Sequence, residues 1–302
     1  MDIFLSIIAV YIFILLGFLA KKMLKEDIQE KSLVVLTIYF LQPMLTFWGL
    51  STKKIDTAML QSPLYFVMII FICTVCSFLI ASTFFKDKKE RSIITVSSVI
   101  SNTGNLGIPL GIALFGEASI IYTTLINVAN IFISYTIGVY FYSRGSFSFR
   151  DSIKNIVKLP LIWFALLALI FNFNDITMHK SILYSLQMGA YAGMVLQLII
   201  FGMYLYSIKL KELNKKLLLH VSLIKFILIP IISFIVLSSL ELDRYMMQII
   251  LLELLVPLAV TNINLSSLYN CKPIDVTSLV FFTSLFFIPY IVLISLLLEH
   301  IK

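Results

Sequence analysis

Two short stretches hold most of the side chains able to grip a ligand. They are Ser101-Asn102-Thr103-Gly104-Asn105-Leu106-Gly107-Ile108-Pro109 and Val256-Pro257-Leu258-Ala259-Val260-Thr261-Asn262-Ile263-Asn264, each inside a long apolar run. Gly costs about 1 kcal/mol and Pro about 3 kcal/mol against Ala in a helix interior, so neither run is expected to stay helical throughout. A half-helix that starts at such a break presents free N–H groups and roughly half a positive charge. Pro109 and Pro257 suit that start, because Pro at the first helical position loses no needed donor. Asn102, Asn105, Asn262 and Asn264 each add an amide with two donors and an acceptor. Brought together, these groups make an anion site whose natural occupant is a carboxylate. The plainer alternative is that Pro and Gly only kink packed membrane helices. Two breaks at matching places, both dense in Asn, favour the binding site.

Two charged residues fall well inside apolar runs, Lys225 and Glu253. Charge at membrane depth costs roughly 2.5–3.5 kcal/mol, so each is a candidate for coupling a proton to transport or for compensating a substrate's charge. Both are expected to face one interior cavity. For Lys225 the competing reading is snorkelling toward the headgroups; for Glu253 it is a hydrogen bond to backbone freed by the nearby break. Asn127, Asn130, Gln42, Gln187 and Gln197 are further polar groups, most simply explained by bonds between helices. Asn130 and Gln42 are the two weighed for substrate contact. The three His do not cluster, and Cys73 and Cys76 have no second ligand pair, so neither a metal nor a cofactor is expected. No nucleotide motif or nucleophile–base arrangement appears.

The elements that carry these residues are membrane spans. The 302 residues are 60% hydrophobic and 13% charged, against about 25% charged in soluble domains. Ten apolar segments of near-span length run roughly 3–20, 33–50, 63–85, 92–115, 119–142, 157–173, 182–208, 217–239, 245–268 and 274–298. The first has no cleavage site and is expected to be retained. The net charge of +7 sits in short loops, a distribution that orients helices and does not point to nucleic acid. Seventeen of the 23 Lys and Arg lie in the loops after segments 1, 3, 5, 7 and 9, and five lie on the other side. The odd loops are therefore expected in the cytoplasm and both termini outside, in the plasma (inner) membrane. Cutting at a cytoplasmic linker, 143–158, leaves five segments in 1–142 and five in 159–302. An odd number inverts the second set, so segment 4 corresponds to segment 9 and both carry the break. The expected fold is an all-α polytopic membrane protein with a 5+5 inverted repeat.

The motif Asn102-Thr103-Gly104-Asn105-Leu106-Gly107-Ile108-Pro109-Leu110 with Phe115-Gly116 resembles the first crossover signature of the auxin efflux carrier family. Pro257-Leu258-Ala259 through Asn262 and Tyr269, then Asp275, Ser278 and Pro289, resembles its C-terminal signature. The resemblance covers essentially the full length. Without the long cytoplasmic loop of the large plant exporters, the chain is similar to the short prokaryotic branch, which includes malate-permease-like carriers. The resemblance implies a fold like that of bile-acid/sodium symporters and sodium/proton antiporters, in which a crossover bundle moves against a scaffold of segments 1, 2, 6 and 7 as an elevator. It implies substrate contact at Asn102, Asn105, Pro109, Pro257 and Asn262, and a small organic anion as substrate. The expected function is secondary transport; the alternative is a ligand-binding membrane sensor or a membrane enzyme. Gly189, Ala190, Ala192 and Gly193 would permit close packing, including at a homodimer face.

Overall fold

The computed structural model describes residues 3–143, 149–206 and 214–300. Residues 144–148 of the expected linker, and the terminal residues 1–2 and 301–302 expected outside, lie beyond the described residues. Sixteen α-helices are described: α1 Ile3–Leu24, α2 Glu30–Leu36, α3 Gln42–Ser51, α4 Thr57–Phe84, α5 Lys88–Ser97, α6 Ile108–Phe115, α7 Ile120–Ile133, α8 Val139–Tyr142, α9 Phe149–Val157, α10 Pro160–Phe173, α11 Lys180–Tyr206, α12 Lys215–Leu223, α13 Ile229–Ser238, α14 Arg244–Leu255, α15 Thr261–Leu268 and α16 Pro273–His300. Among the described residues there is no strand, only an isolated antiparallel bridge between Ser101 and Leu258.

Each of the ten apolar segments is helical, and segments 4 and 9 are the ones interrupted in the middle. Six continuous stretches among the described residues are long and apolar enough to cross a membrane: Glu30–Ser51, Thr57–Phe84, Glu117–Tyr142, Lys180–Tyr206, Lys215–Ser238 and Pro273–Leu293. Thr103–Phe115 and Pro160–Phe173 are shorter apolar helices, and α1 is a further apolar helix of 22 residues. Outward faces are apolar, as Leu64 at 67%, Phe71 at 61% and Leu79 at 59% exposure show on α4. That surface matches lipid, and the protein is an integral membrane protein.

Proline explains most of the irregular turns. π-Helical turns at Thr37–Leu41, Thr103–Gly107 and Ile224–Leu228 each end two residues before a proline, at Pro43, Pro109 and Pro230. Pro lacks an N–H and its ring clashes with the carbonyl four residues back. One wider turn relieves both problems and lets the helix continue.

The helices gather into two compact units. The first contains Met1–Gln61, Gly104–Val128 and Asn155–Ser207. Here α1 and α11 touch backbone to backbone: a Cβ on Gly17 would lie 1.9 Å from the Ile199 carbonyl oxygen, and one on Gly202 would lie 1.9 Å from that of Ile14. Phe47, Leu50, Ile121, Leu125, Ala165 and Ala168 form a core between α3, α7 and α10. Asn172 ties α10 to the end of α3, accepting from Ile55 N at 2.8 Å and donating to the Leu50 carbonyl at 2.9 Å. Gly189 faces Met44 and Gly193 faces Leu41 of the same unit, so these two small residues serve packing within the chain. The second unit contains Ser62–Thr103, Ala129–Lys154 and Ile208–Lys302. Each unit draws on both sequential halves, and segments 1, 2, 6 and 7 all fall in the first.

Candidate functional site

The breaks arise from local chemistry and are closed by tertiary contact. α14 is capped by Asp243, whose carboxylate accepts from Tyr245 N at 3.0 Å and Met246 N at 3.2 Å. It stops at Leu255 because Val256 precedes Pro257, and the residue before a proline is pushed out of the helical region; Val256 has ψ 148°. α5, capped by Asp87 in the same way, ends at Ser97, and the chain runs extended through Ser101 and Asn102. Those two extended stretches, both in the second unit, pair with each other. Asn102 N donates to the Pro257 carbonyl at 2.8 Å, and Ala259 N donates to the Ile100 carbonyl at 3.0 Å. Four backbone groups freed by the breaks thereby satisfy one another, as buried polar groups must. Pro257 accordingly does not open a half-helix: it sits inside the break, and α15 begins at Thr261. Pro109 does not open one either, because the helix after the first break starts at Thr103 and passes through the π-helical turn into α6, so the expectation that the prolines start half-helices fails for both.

Around this bridge the polar side chains divide into committed and uncommitted ones. Asn262 is fully buried and committed. Its Nδ2 donates to the Ile100 and Ala259 carbonyls, both at 3.0 Å, and its Oδ1 accepts from the Tyr142 hydroxyl at 3.0 Å. Asn130 Nδ2 donates to the Ser101 carbonyl at 2.8 Å and to Thr103 Oγ1 at 3.0 Å, while its Oδ1 has no bond among the described residues. Asn102 is 3% exposed, and its Nδ2 likewise has no bonding partner among the described residues. Lys225 Nζ donates to Ser101 Oγ at 2.6 Å and to the Leu254 carbonyl at 2.9 Å. Being fully buried, Lys225 does not snorkel. Glu253 is also fully buried, with no bond to either carboxylate oxygen among the described residues, and it forms no ion pair with Lys225. The hydrogen bond to freed backbone considered for Glu253 is thus not formed.

The other expected residues lie in the first unit. The chain enters it at Gly104, within the π-helical turn Thr103–Gly107. Gly104 packs on the Asn127 amide, 2.8 Å from where a Cβ would sit, so this side of the turn has room only for hydrogen. Asn105 is half-buried on the same turn, and Pro109 is buried. The first unit also carries an open cavity of about 360 Å³ beside Lys54, Asn172 and Asp175, lined by none of the expected site residues.

Sequence reading did not single out Ser101 as a ligand of Lys225 or Tyr142 as a partner of Asn262. Nothing local marks Tyr142, which lies 120 residues from Asn262. For Lys225 a signal existed in Pro230, five residues on, because the π-helical turn it enforces includes Lys225 itself. His220 stacks on Phe84 and Phe85, with ring centroids 5.3 and 4.9 Å away, and serves packing.

Residues 2–150 and 146–295 match the family described as membrane transport protein. An uncharacterized transporter, MJ1031, of Methanocaldococcus jannaschii is 26% identical over 292 residues, covering 93% of this chain and 94% of that protein. With paired breaks in segments 4 and 9 and a family match over nearly the whole length, the chain belongs to the membrane transport protein family, that of the auxin efflux carriers.

Proposed function

We propose that the protein is a secondary transporter of a small organic anion, a carboxylate, which it carries by alternating access. The observation that carries this reading is the Asn102 amide: a buried donor without a bond, beside a backbone bridge in which Asn102 N and Ala259 N are both paired. A buried donor left unmet costs about 1–3 kcal/mol, which a ligand oxygen would relieve. Lys225 supports an anion over a cation, since its ammonium meets only neutral oxygens. Asn105, half-buried on the following turn, is the second amide proposed to reach the substrate. Asn262, with its amide fully engaged, acts by holding the crossover together, and Pro257 by ending α14.

In this reading ten spans form a 5+5 inverted repeat, with both termini outside the plasma membrane. Segments 1, 2, 6 and 7 are the scaffold and the other segments the moving crossover bundle, with residues 104–128 of segments 4 and 5 falling in the first unit beside the scaffold segments. The gathering of segments 1, 2, 6 and 7 into the first unit supports that division. Glu253, buried and unbonded, is the residue proposed to take up a proton during the cycle.

The test is counterflow into proteoliposomes with a panel of labelled carboxylates. Saturable exchange of one acid, reduced at least about tenfold in Asn102→Ala, is expected; a tenfold change corresponds to about 1.4 kcal/mol. Exchange by the wild type that survives both Asn102→Ala and Asn105→Ala would move the site elsewhere. Glu253→Gln is expected to flatten the pH dependence of uptake, and an unchanged pH profile would remove Glu253 from coupling.

A further inference from the structure

Lys225 occupies an unusual position for a lysine. It lies in the π-helical turn Ile224–Leu228, which turns its side chain fully inward while Ile227 in the same turn is 51% exposed. Its two acceptors come from the two breaks. The Leu254 carbonyl is among the last four of α14, which lose their intrahelical partners when Pro257 ends the helix. Ser101 lies just beyond the C-terminal end of α5. The ammonium therefore bridges the C-terminal sides of two half-helices, the ends that carry about half a negative charge each. No carboxylate pairs with it among the described residues.

Freed carbonyls at the C-terminal ends of broken helices are the oxygens by which transporters of this general build coordinate a sodium ion, and the Ser101 hydroxyl stands beside one such carbonyl. Here a nitrogen held at 2.6 and 2.9 Å stands among them. We infer that the Lys225 ammonium is a tethered cation that takes the place of a soluble one, so that the crossover closes without sodium. The consequence, sodium-independent transport, rests on the transporter reading; the site itself does not.

The experiment measures melting of the purified full chain in sodium, ammonium and choline chlorides at equal ionic strength. Wild type is expected to melt at one temperature in all three. Lys225→Ala is expected to melt lower in choline by roughly 5 °C or more, and to regain part of that loss in sodium or ammonium, whose small cations enter the vacated position. A wild type stabilised by sodium over choline would overturn the inference, and so would a Lys225→Ala protein indifferent to all three salts. Should Lys225→Ala not fold, Ser101→Ala keeps the lysine and removes one acceptor. Its melting temperature is expected to fall equally in every salt; an unchanged value would overturn the inference. Failure of wild-type protein to exchange any carboxylate would end the carboxylate reading and leave the melting result standing.

Discussion

At the scale of single residues, the two asparagines of the crossover carry opposite duties, and substitution separates them. Asn262→Ala strands the Tyr142 hydroxyl in a dry interior and removes the side-chain donor from the Ile100 and Ala259 carbonyls, which keep their bonds from Ala259 N and the backbone N of residue 262. The stranded hydroxyl costs about 1–3 kcal/mol, so the variant is expected to melt below wild type, as differential scanning fluorimetry would show. Asn102→Ala removes an amide nitrogen that bonds nothing among the described residues. Its stability is expected to equal wild type or exceed it slightly, while exchange is lost. Equal melting of the two variants would refute the division. Their sequence settings do not distinguish them, since both sit beside a helix break.

At the scale of elements, the closest helix contact is α1 on α11, and it depends on two glycines. Ala is a better helix former than Gly by about 1 kcal/mol, so propensity alone would make Gly17→Ala and Gly202→Ala stabilising. The added Cβ, however, would lie 1.9 Å from a backbone carbonyl oxygen in each case, and neither helix has a flexible side-chain end there to give way. Forced overpacking costs about 1–3 kcal/mol, so both variants are expected to be destabilised and their combination more so. Melting at or above the wild-type temperature would show that the helices separate freely. Gly189→Ala meets the Met44 side chain at 2.3 Å, a flexible end, and is expected to be milder.

At the scale of the whole molecule, two expectations concern the polar ends. In the second unit Lys272 binds Asp87 at 2.9 Å and Glu90 at 2.7 Å, while Asn214 donates to Glu90 at 3.1 Å. Three interhelical connections are tied by this one cluster. The bond from Lys272 holds the Asp87 carboxyl below the usual carboxylate range, with bonds from Lys89 N and Glu90 N acting in the same direction. A depressed acid contributes stability that is present above its unfolded value and lost as pH falls through its folded one. Melting is therefore expected to decline on acidification below about pH 4, less so in Lys272→Met. Asp87 is half-exposed, so screening limits the effect to under about 1 kcal/mol. A Lys272→Met protein with undiminished acid sensitivity would assign the decline to other groups. The distribution of Lys and Arg sets the second expectation. A cysteine placed at Lys54 should react with an impermeant maleimide on intact cells, and one at Lys215 only after permeabilisation; the reverse pattern would invert the topology.

The family, the helical membrane architecture and the location of both breaks were legible in the sequence because each follows from local rules. Apolar length marks helices suited to lipid, Pro257 displaces Val256 from the helix, and Gly104-Asn105 with Pro109 prevents a regular turn. Only the tertiary structure decided what became of the groups so freed. Pairing of Asn102 with Pro257 and of Ala259 with Ile100 joins residues more than 150 positions apart, and side-chain commitment follows from that pairing. Asn262 is engaged while Asn102 is left open, and Lys225 is drawn inward onto Ser101 where hydropathy alone allowed it to reach the surface. The physical reason is that a buried polar group must find a partner, and in a membrane chain that partner is chosen by which helices cross, which no local pattern specifies.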